Sequence, residues 1–534
     1  MRNATLSITK LEATLIVVVI ILALVAGAVS WQVANITPST TTVYSVKTLS
    51  ETKTITQTYT TTITESTTVK ETSTLTTCPV AVTQTITQPI TKTQTTTQTV
   101  TVQTTQEPRF VLEIYGNANL DEAIDIKDLY YIQSILKGEV ASTTFADANM
   151  DGKVDEQDLR HVEAIIKGEA SFLFILDGNG KPLKVKMPIK RLGVEYLSNI
   201  ELVRILGAID RVIAVDFAPY QLRHFYLQEI ADKVVNLGNM FRPDYELVTS
   251  LRLDAIFSFS PDVDEKQAKL PDTTVIFLGL YWPDVFNPRE SRFIQGVMKA
   301  GYILGEPDKA KAYIDWLISL IELIKSRTTG LTDDKKPKVL MTGMVGYFRN
   351  PQEKSIRTYT LRDPLSQMCL LAGGKPIAMD LADWQSTSYY TTIDPEWVLE
   401  KNPEYIFIHC VRYTYGAATQ SPPYGYDVDD KTDLEKIWSD IASRELLAKT
   451  KAVSNKQVYL MAGDFRNNAM GSVLGAVYLA RILHPTLFGD LNPKYVHQEY
   501  VSRWLKLKYD LDEHGTFLFP PIYVEGRAVG VPSN

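Results

Sequence analysis

The chain has 534 residues, a formal net charge of −7 and 45% hydrophobic residues. This length predicts two to four folded units, and the mild charge argues against a general nucleic-acid-binding protein. The cysteines are Cys78, Cys369 and Cys410, too few for a disulfide framework. Cys369 and Cys410 could pair or remain as two buried free thiols, and Cys78 could cross-link two chains.

The amino end carries an uncharged apolar run at residues 13–29, preceded by Arg2 and Lys10. With its flanking residues the run is long enough to span a bilayer, and the positive charges before it place the amino end in the cytoplasm. The sequence therefore predicts a transmembrane anchor within residues 1–35, with the rest of the protein at the cell surface. A cleaved signal peptide is the alternative.

Residues 36–108 are rich in Thr, with Ser, Gln and Val, and hold few bulky apolar side chains. Such a composition cannot build a hydrophobic core. It is typical of extended stalks that carry O-linked sugars. The sequence predicts a disordered stalk that holds the following units away from the membrane.

Two similar segments follow, residues 117–139 and 147–169, at an offset of 30 residues. Both place oxygen-bearing side chains at positions 1, 3, 5, 9 and 12, the alternation that supplies ligands to calcium. We predict two calcium sites. Their ligands are Asn117, Asn119, Asp121, Asp125 and Asp128 in the first copy, and Asp147, Asn149, Asp151, Lys153, Asp155 and Asp158 in the second.

Each loop is followed by one amphipathic helix, and this duplication resembles dockerin modules over residues 115–169. The resemblance implies a small α module at residues 109–170, which binds calcium and has a cohesin-like partner. The second copy is the more specific match. The first copy departs from the pattern, with Asn117 in place of Asp and Glu122 in place of Gly.

From residue 170 onward, short β-branched runs alternate with helical stretches, which predicts α/β layers with mainly parallel sheets. Residues 243–259 and 394–409 match each other at an offset of 150 residues, each reading as a helix, a turn and a buried strand. This echo predicts two homologous lobes, although any αβ unit would look broadly similar. A helical pattern at residues 306–327 could connect them.

The segments that carry a family resemblance are residues 177–216, 372–380, 393–408 and 479–505. Their order and spacing resemble the ABC-transporter solute-binding proteins of the helical-backbone class III, which carry ferric siderophores, haem or cobalamin. The resemblance implies two Rossmann-like lobes joined by a single long helix, with the ligand between them. Permease and ATPase partners, and no enzymatic activity, are implied as well. The predicted bounds are 171–305, 306–330 and 331–534 for the first lobe, the helix and the second lobe.

No catalytic motif appears in the sequence. His409 and Cys410 could be metal ligands, but a core histidine is the preferred interpretation. Ligands of open α/β sheets bind beyond the carboxyl ends of strands, where Arg pairs with carboxylate or catecholate oxygens and aromatic faces cover large ligands. The residues predicted to bind an anionic, bulky metal chelate are Tyr196, Tyr220, Phe241, Arg242, Tyr347, Arg349, Arg357, Trp384, Tyr389, Arg412, Tyr413, Tyr415 and Arg466.

Glu246 and Glu396 occupy equivalent places in the two matched segments, each near a predicted helix start. The family resemblance implies that one Glu from each lobe docks on the permease, whereas helix capping alone is the other interpretation. Three functions stay open at this point. A solute-binding protein of an importer leads, followed by a cell-surface adhesion or scaffold protein acting through the dockerin-like module, and then an extracellular enzyme.

Overall fold

The computed structural model describes residues 110–281, 284, 287, 290–410, 424–467 and 472–533, together with four strands between residues 53 and 104. The chain divides into two compact units, Met1–Glu107 and Pro108–Asn534. The predicted anchor, residues 13–29, lies outside the described residues. Among the described helices, none is both long and apolar enough to cross a membrane.

The Thr-rich region contains two antiparallel pairs of strands, which differs from the predicted disordered stalk. Strand β1 pairs with β4, and β2 pairs with β3. Thr, Val and Ile are β-branched and favour an extended backbone. The prediction of a disordered stalk gave this preference less weight than the lack of bulky apolar residues. The strands are β1 (Lys53–Thr62), β2 (Glu71–Leu75), β3 (Val82–Ile86) and β4 (Thr95–Thr104).

The second unit begins with the two predicted loops, each followed by one helix, α1 (Ile126–Leu136) and α2 (Glu156–Lys167). Both helices begin with a capping box made by the Asp residues at loop positions 9 and 12. The prediction of a duplicated loop and helix is therefore confirmed at the level of the backbone.

This module packs directly against the first lobe. A bridge joins Ile114 to Ile175 in strand β5 (Phe172–Leu176), which pairs with β6 (Pro182–Lys186). The Ile124 backbone N–H donates to the Tyr302 hydroxyl at 2.7 Å. Apolar side chains of the module belong to the same buried cluster as the core of both lobes, so the module is continuous with the body.

The first lobe is built on a five-stranded parallel sheet with the order β13-β12-β7-β8-β9. Its strands are short and almost fully buried, as expected for a parallel sheet covered on both faces. The strands of this lobe are β7 (Leu192–Val194), β8 (Val212–Val215), β9 (Val235–Asn236), β10 (Gly238–Asn239), β11 (Arg242–Pro243), β12 (Ala255–Ser258) and β13 (Thr274–Phe277). Its helices are α3 (Tyr196–Leu206), α4 (Phe217–Gln221), α5 (Arg223–Tyr226), α6 (Tyr245–Leu251), α7 (Val263–Lys269) and α8 (Arg292–Ile303).

The predicted connecting helix is α9 (Pro307–Thr328), with 22 residues. Pro307 stands in its first turn, where the missing N–H would have no intrahelical partner. The helix contacts α3 and α8 of the first lobe, and α10 (Pro364–Leu371) and α16 (Val473–Leu483) of the second. At the usual rise per residue the helix is about 33 Å long. This length allows it to pack against both lobes.

The second lobe is built on a seven-stranded sheet with the order β17-β15-β14-β18-β19-β20, and β16 beside β14. Strands β14, β16, β18 and β19 pair in parallel, β15 and β20 run antiparallel to them, and β17 pairs antiparallel with β15. The expectation of mainly parallel sheets therefore holds better for the first lobe. The strands are β14 (Lys338–Gly343), β15 (Ile356–Tyr359), β16 (Lys375–Pro376), β17 (Tyr390–Ile393), β18 (Tyr405–Cys410), β19 (Val458–Ala462), β20 (Leu518–Phe519), β21 (Ile522–Val524) and β22 (Arg527–Val529). The helices are α10 (Pro364–Leu371), α11 (Pro395–Lys401), α12 (Thr432–Ser443), α13 (Glu445–Ala448), α14 (Lys451–Ser454), α15 (Asp464–Asn467), α16 (Val473–Leu483) and α17 (Pro493–Glu499).

The matched segments of the two lobes adopt the same local structure. Helices α6 and α11 both have seven residues and end on a residue with left-handed backbone, and each leads into a central strand. The Asp254 carboxylate accepts from the Lys190 and Arg191 N–H groups, and Glu404, its equivalent, accepts from the Lys338 N–H. The predicted succession of helix, turn and buried strand is confirmed in both segments.

Candidate functional site

The carboxyl ends of the parallel strands in the first lobe carry aromatic side chains. Tyr196 follows β7 and opens α3, Phe259 follows β12, and Tyr281 lies four residues beyond β13. The Tyr196 and Phe259 rings lie 4.1 Å apart, and the Phe259 and Tyr281 rings 5.6 Å apart. Such spacings are favourable for offset or edge contacts, so the three rings form one continuous apolar surface.

The second lobe meets this surface with Tyr359, Tyr389 and Arg466. The Tyr281 and Tyr389 rings lie 5.4 Å apart. The Arg466 guanidinium lies 5.2 Å from the centroids of both Tyr281 and Tyr359. We refer to Tyr196, Phe259, Tyr281, Tyr359, Tyr389 and Arg466 as the cleft cluster, because side chains of both lobes meet there.

Arg466 is held by Asp363. Its Nε lies 3.0 Å and 3.2 Å from the two carboxylate oxygens, and its Nη2 also donates to Oδ2. Asp363 is fully buried, and it caps helix α10 by accepting from the Leu365 N–H. Arg466 is therefore a fixed cation whose charge is balanced within the protein, and it contacts the tyrosine faces rather than presenting a free guanidinium.

His409 ends strand β18 close to the cluster, with its ring 6.4 Å from Tyr359. Burial, with a smaller contribution from Arg466, lowers the pKa of His409 well below its usual value. Burial likewise raises the pKa of Cys410 to about 12. Both side chains are therefore neutral near pH 7. Cys369 and Cys410 are free and buried, which confirms the interpretation of two free thiols.

Two other predicted residues of the second lobe, Arg357 and Tyr347, take part in arginine–aromatic contacts. The Arg357 guanidinium lies 4.2 Å from the Tyr390 ring centroid, and Arg444 lies 5.5 Å from that of Tyr347, which is buried. Arg349 is exposed. Trp384 is buried, and its carbonyl accepts from the Leu361 N–H.

In the first lobe, the Phe241 ring lies 6.2 Å from Phe259 at the margin of the cluster and is half exposed. Arg242 beside it is exposed. Tyr220 stacks against Arg223 at 4.3 Å. Arg412, Tyr413 and Tyr415 lie outside the described residues.

The structure adds residues that the sequence analysis did not single out. They are Phe259, Tyr281, Tyr359, Arg362 and Asp363. Phe259 is the last residue of the matched segment 243–259 and stands directly after the observed strand β12, and an aromatic residue at the end of a predicted strand is a signal that could have been used. Arg362 stacks on Tyr389 at 5.0 Å and donates to the Thr387 carbonyl, a contact between separate segments that no local pattern indicates.

Comparison with known proteins decides the family. A family model described as a periplasmic binding protein matches residues 195–464, which is half of the chain. The chain belongs to this family. Members of the periplasmic binding protein family bind small solutes and work with the permease and ATPase components of ABC transporters. Binding rather than catalysis is the usual role of the family, which disfavours the extracellular enzyme.

A solved structure of a periplasmic binding protein shares the fold. The TroA-like periplasmic binding protein FepB from Veillonella parvula is 18% identical with a TM-score of 0.51, over 65% of this chain and 99% of that chain. The molybdate periplasmic binding protein MolA from Haemophilus influenzae is 18% identical with a TM-score of 0.48, over 63% and 99% of the two chains. No curated protein matches this chain.

The two glutamates predicted to dock this periplasmic binding protein on a permease occupy matching places. Glu246 is the second residue of α6, and Glu396 is the second residue of α11. Both side chains are exposed. Asp244 caps α6 by accepting from the Leu247 N–H, so capping of that helix does not depend on Glu246. Asp394 holds the N-cap position of α11 without a side-chain cap hydrogen bond.

The loops predicted to bind calcium present hard oxygen side chains on tight turns. In the second loop, the Asp147 carboxylate accepts from the Asp151 and Gly152 N–H groups at 3.1 Å and 2.8 Å. Gly152 has a φ of +94°, a left-handed conformation that a side chain would strain. These oxygens suit calcium chemically. As placed, however, no three His, Cys, Asp or Glu side chains of the described residues converge on one metal position.

The first loop differs from the second in how its own side chains are paired. Asn117 is buried and donates its amide to the carbonyls of Leu112 and Asp121, both at 2.8 Å. The ammonium of Lys127 lies 3.6 Å and 3.0 Å from carboxylate oxygens of Asp121 and Asp125. Burial raises the pKa of Asp128 to about 7. The second loop has a similar ion pair, Lys153 with Asp155 at 2.8 Å, and burial also raises the pKa of Asp158. The buried Asn117 amide is therefore the feature that separates the first loop from the second.

Proposed function

We propose that this protein is the extracytoplasmic solute-binding component of an ABC importer and captures a ferric siderophore or a related haem or cobalamin chelate between its lobes. The observation that supports this is the cleft cluster, in which side chains of both lobes meet at the carboxyl ends of strands. That edge is where open α/β sheets bind their ligands. Aromatic faces on both sides suit a large, flat or bulky ligand.

The arginines around the cluster account for the proposed negative charge of the ligand. Arg466 is balanced by Asp363, so the proposed contacts to ligand oxygens fall to the other predicted arginines, Arg357 and the exposed Arg349. A guanidinium stacked on an aromatic ring, as Arg357 is on Tyr390, keeps N–H groups in its plane for carboxylate or catecholate oxygens.

The test is to identify the ligand directly. The full chain is purified without added ligand, and its absorption spectrum and mass analysis are recorded for any bound chelate. Tryptophan fluorescence is then titrated with ferric siderophores, haem and cobalamin. Saturable binding of one of them is expected, whereas no response to any of these chelates would assign the cleft to another ligand class.

Delivery to the permease is proposed to use Glu246 and Glu396. Both are exposed and lie at equivalent positions of the two lobes, so a transporter with two membrane subunits could be contacted by both lobes at once. We also propose that residues 13–29 anchor the protein, with the binding lobes at the cell surface.

A second candidate function is adhesion or scaffolding through the dockerin-like module. The observation that favours it is an exposed apolar pair on α1, where Ile126 is 52% exposed and Tyr130 is 61% exposed. Residues four apart lie on one face of a helix. A cohesin-like partner would cover this face, and calcium in the second loop, and more weakly in the first, would stabilise the module that presents it.

A further inference from the structure

Beneath the first-lobe side of the cleft cluster lies a buried ion pair, Glu195 and Lys266. The Lys266 ammonium lies 2.5 Å and 2.7 Å from the two carboxylate oxygens of Glu195. The side chains are 0% and 2% exposed. Taking two charges out of water is unfavourable, so a buried pair is weak as an explanation of stability alone. Its position in the fold indicates another contribution.

The pair joins three segments of the lobe. Lys266 also donates to the Met240 carbonyl and approaches the Ser258 hydroxyl, both at 3.0 Å. Glu195 accepts from the Phe259 N–H at 3.0 Å. Each of these contacts lies at, or next to, an aromatic residue of the cleft. Glu195 precedes Tyr196, and Met240 precedes Phe241. The N–H that donates to Glu195 belongs to Phe259 itself.

Tyr196 is held in a conformation that its own backbone does not favour. Its φ is +70°, in the left-handed region that residues with a side chain rarely adopt. Its N–H donates to the buried Asp216 carboxylate at 2.8 Å, and the preceding N–H of Glu195 donates to the Phe257 carbonyl at 3.0 Å. Fixed partners on both sides therefore set the direction of the Tyr196 ring, which packs on Phe259.

We propose that Glu195 and Lys266 are positioning residues for ligand binding, which hold Tyr196 and Phe259 as a fixed aromatic platform before the ligand arrives. Side chains ordered in advance do not lose conformational freedom on binding, so affinity is higher. This inference rests on the proposed function, because the platform serves a ligand that enters the cleft.

The test compares two ion pairs in the full chain, each with a buried lysine. Glu195→Gln with Lys266→Met removes both charges beneath the platform and nearly preserves volume. The matched control is Glu113→Gln with Lys299→Met, a pair 2.6 Å apart in which Lys299 is 1% exposed and which joins the module to the lobe away from the cluster. If the first variant does not fold, Lys266→Arg replaces it, since this change keeps the charge but alters the geometry of the contacts.

The first measurement needs no ligand. A 3-fluorotyrosine is placed at position 196, and its ¹⁹F resonance is recorded. One sharp line is expected for the parent protein and the control. A broadened or shifted line is expected for Glu195→Gln with Lys266→Met, which we call the platform variant. An unchanged line in the folded platform variant would overturn the inference.

The second measurement titrates the same proteins with haem and with a ferric catecholate siderophore. We expect the platform variant to bind about tenfold more weakly than the parent and the control to bind normally. When Tyr196→Ala is already present, adding Glu195→Gln with Lys266→Met should cause no further loss of affinity. A full additional loss in the Tyr196→Ala background would overturn the inference. If the parent binds neither probe while the ¹⁹F line responds as expected, haem and catecholate siderophores are excluded as ligands and the positioning role stands.

Discussion

The guanidinium of Arg466 lies 5.2 Å from the centroid of the Tyr281 ring, which brings a cation of the second lobe against an aromatic face of the first. A cation above a ring is attracted by the negative face of the π system. Because Asp363 holds the same guanidinium from its other side, Arg466 links the core of one lobe to the cleft surface of the other.

Arg466→Ala is expected to destabilise the protein by about 3–5 kcal/mol, because it leaves the buried Asp363 carboxylate without its partner. Arg466→Met with Asp363→Asn removes both charges, keeps an acceptor for the Leu365 N–H, and should recover most of that loss. Chemical denaturation measures both variants. Equal destabilisation by the single and the double variant would show that the pair is not the cause.

Tyr281→Ala is expected to weaken binding of the proposed chelate by roughly tenfold, because an aromatic contact contributes about 0.5–1.5 kcal/mol beyond its buried area. Tyr281→Phe keeps the ring and should bind nearly as the parent does. Tyr523→Ala, at an exposed position on β21, is the control for loss of a tyrosine. Fluorescence titration gives the affinities, and normal binding by Tyr281→Ala would remove this residue from the site.

Glu246→Ala with Glu396→Ala is expected to leave ligand affinity nearly intact and to lower the thermal midpoint only slightly, since the loss of a favourable helix-dipole contact is worth about 0.3–1 kcal/mol. It should abolish stimulation of the transporter ATPase in reconstituted membranes. Glu400→Ala, an exposed glutamate one turn further along α11, is the matched control. Normal stimulation by the double variant would eliminate the docking role.

Calcium is expected to raise the thermal midpoint of the full chain, and a chelator should reverse the effect. A ligand at a hundred times its dissociation constant stabilises by about 2.7 kcal/mol. Asp151→Ala in the second loop should remove most of the response. Asp121→Ala at the matching position of the first loop should remove less, because the first copy departs from the calcium pattern. A thermal midpoint that changes neither with calcium nor with chelator would contradict the calcium proposal.

Stability should fall as the pH drops from about 6.5 toward 3, in part because of His497. This ring is buried between the hydroxyls of Tyr426 and Tyr478, at 2.9 Å and 3.0 Å, and burial lowers its pKa from 6.5 to about 3. Between pH 6.5 and 3 this histidine is protonated in the unfolded chain and stays neutral in the folded protein. The contribution is therefore present above 6.5 and is lost by at most about 1.4 kcal/mol per pH unit below it.

The check on this prediction is the thermal midpoint as a function of pH. His497→Gln should have a lower midpoint near pH 7 but a shallower slope between pH 6.5 and 3. His224→Gln changes an exposed histidine and should keep the slope of the parent. A slope unchanged by His497→Gln would show that other groups govern the acid response.

The sequence by itself determined the features that depend on neighbours along the chain. The repeated loops and their helices, the long helix, and the matched segments of the two lobes all follow from periodicity and spacing, and α6 and α11 show the same local structure. Such features are local because helix caps, turns and alternating burial involve residues only a few positions apart. The succession of first lobe, long helix and second lobe along the chain follows from the same patterns.

Only the tertiary structure decided which of the candidate side chains meet. Arg466 could be chosen as a ligand residue from its place after a strand, but its partner Asp363 lies 103 residues away. Lys266 reaches Glu195 across 71 residues, and Tyr281 meets Tyr389 from the other lobe. These contacts arise when sheets and lobes pack together, and local sequence patterns carry no record of which distant partner will neutralise a buried charge.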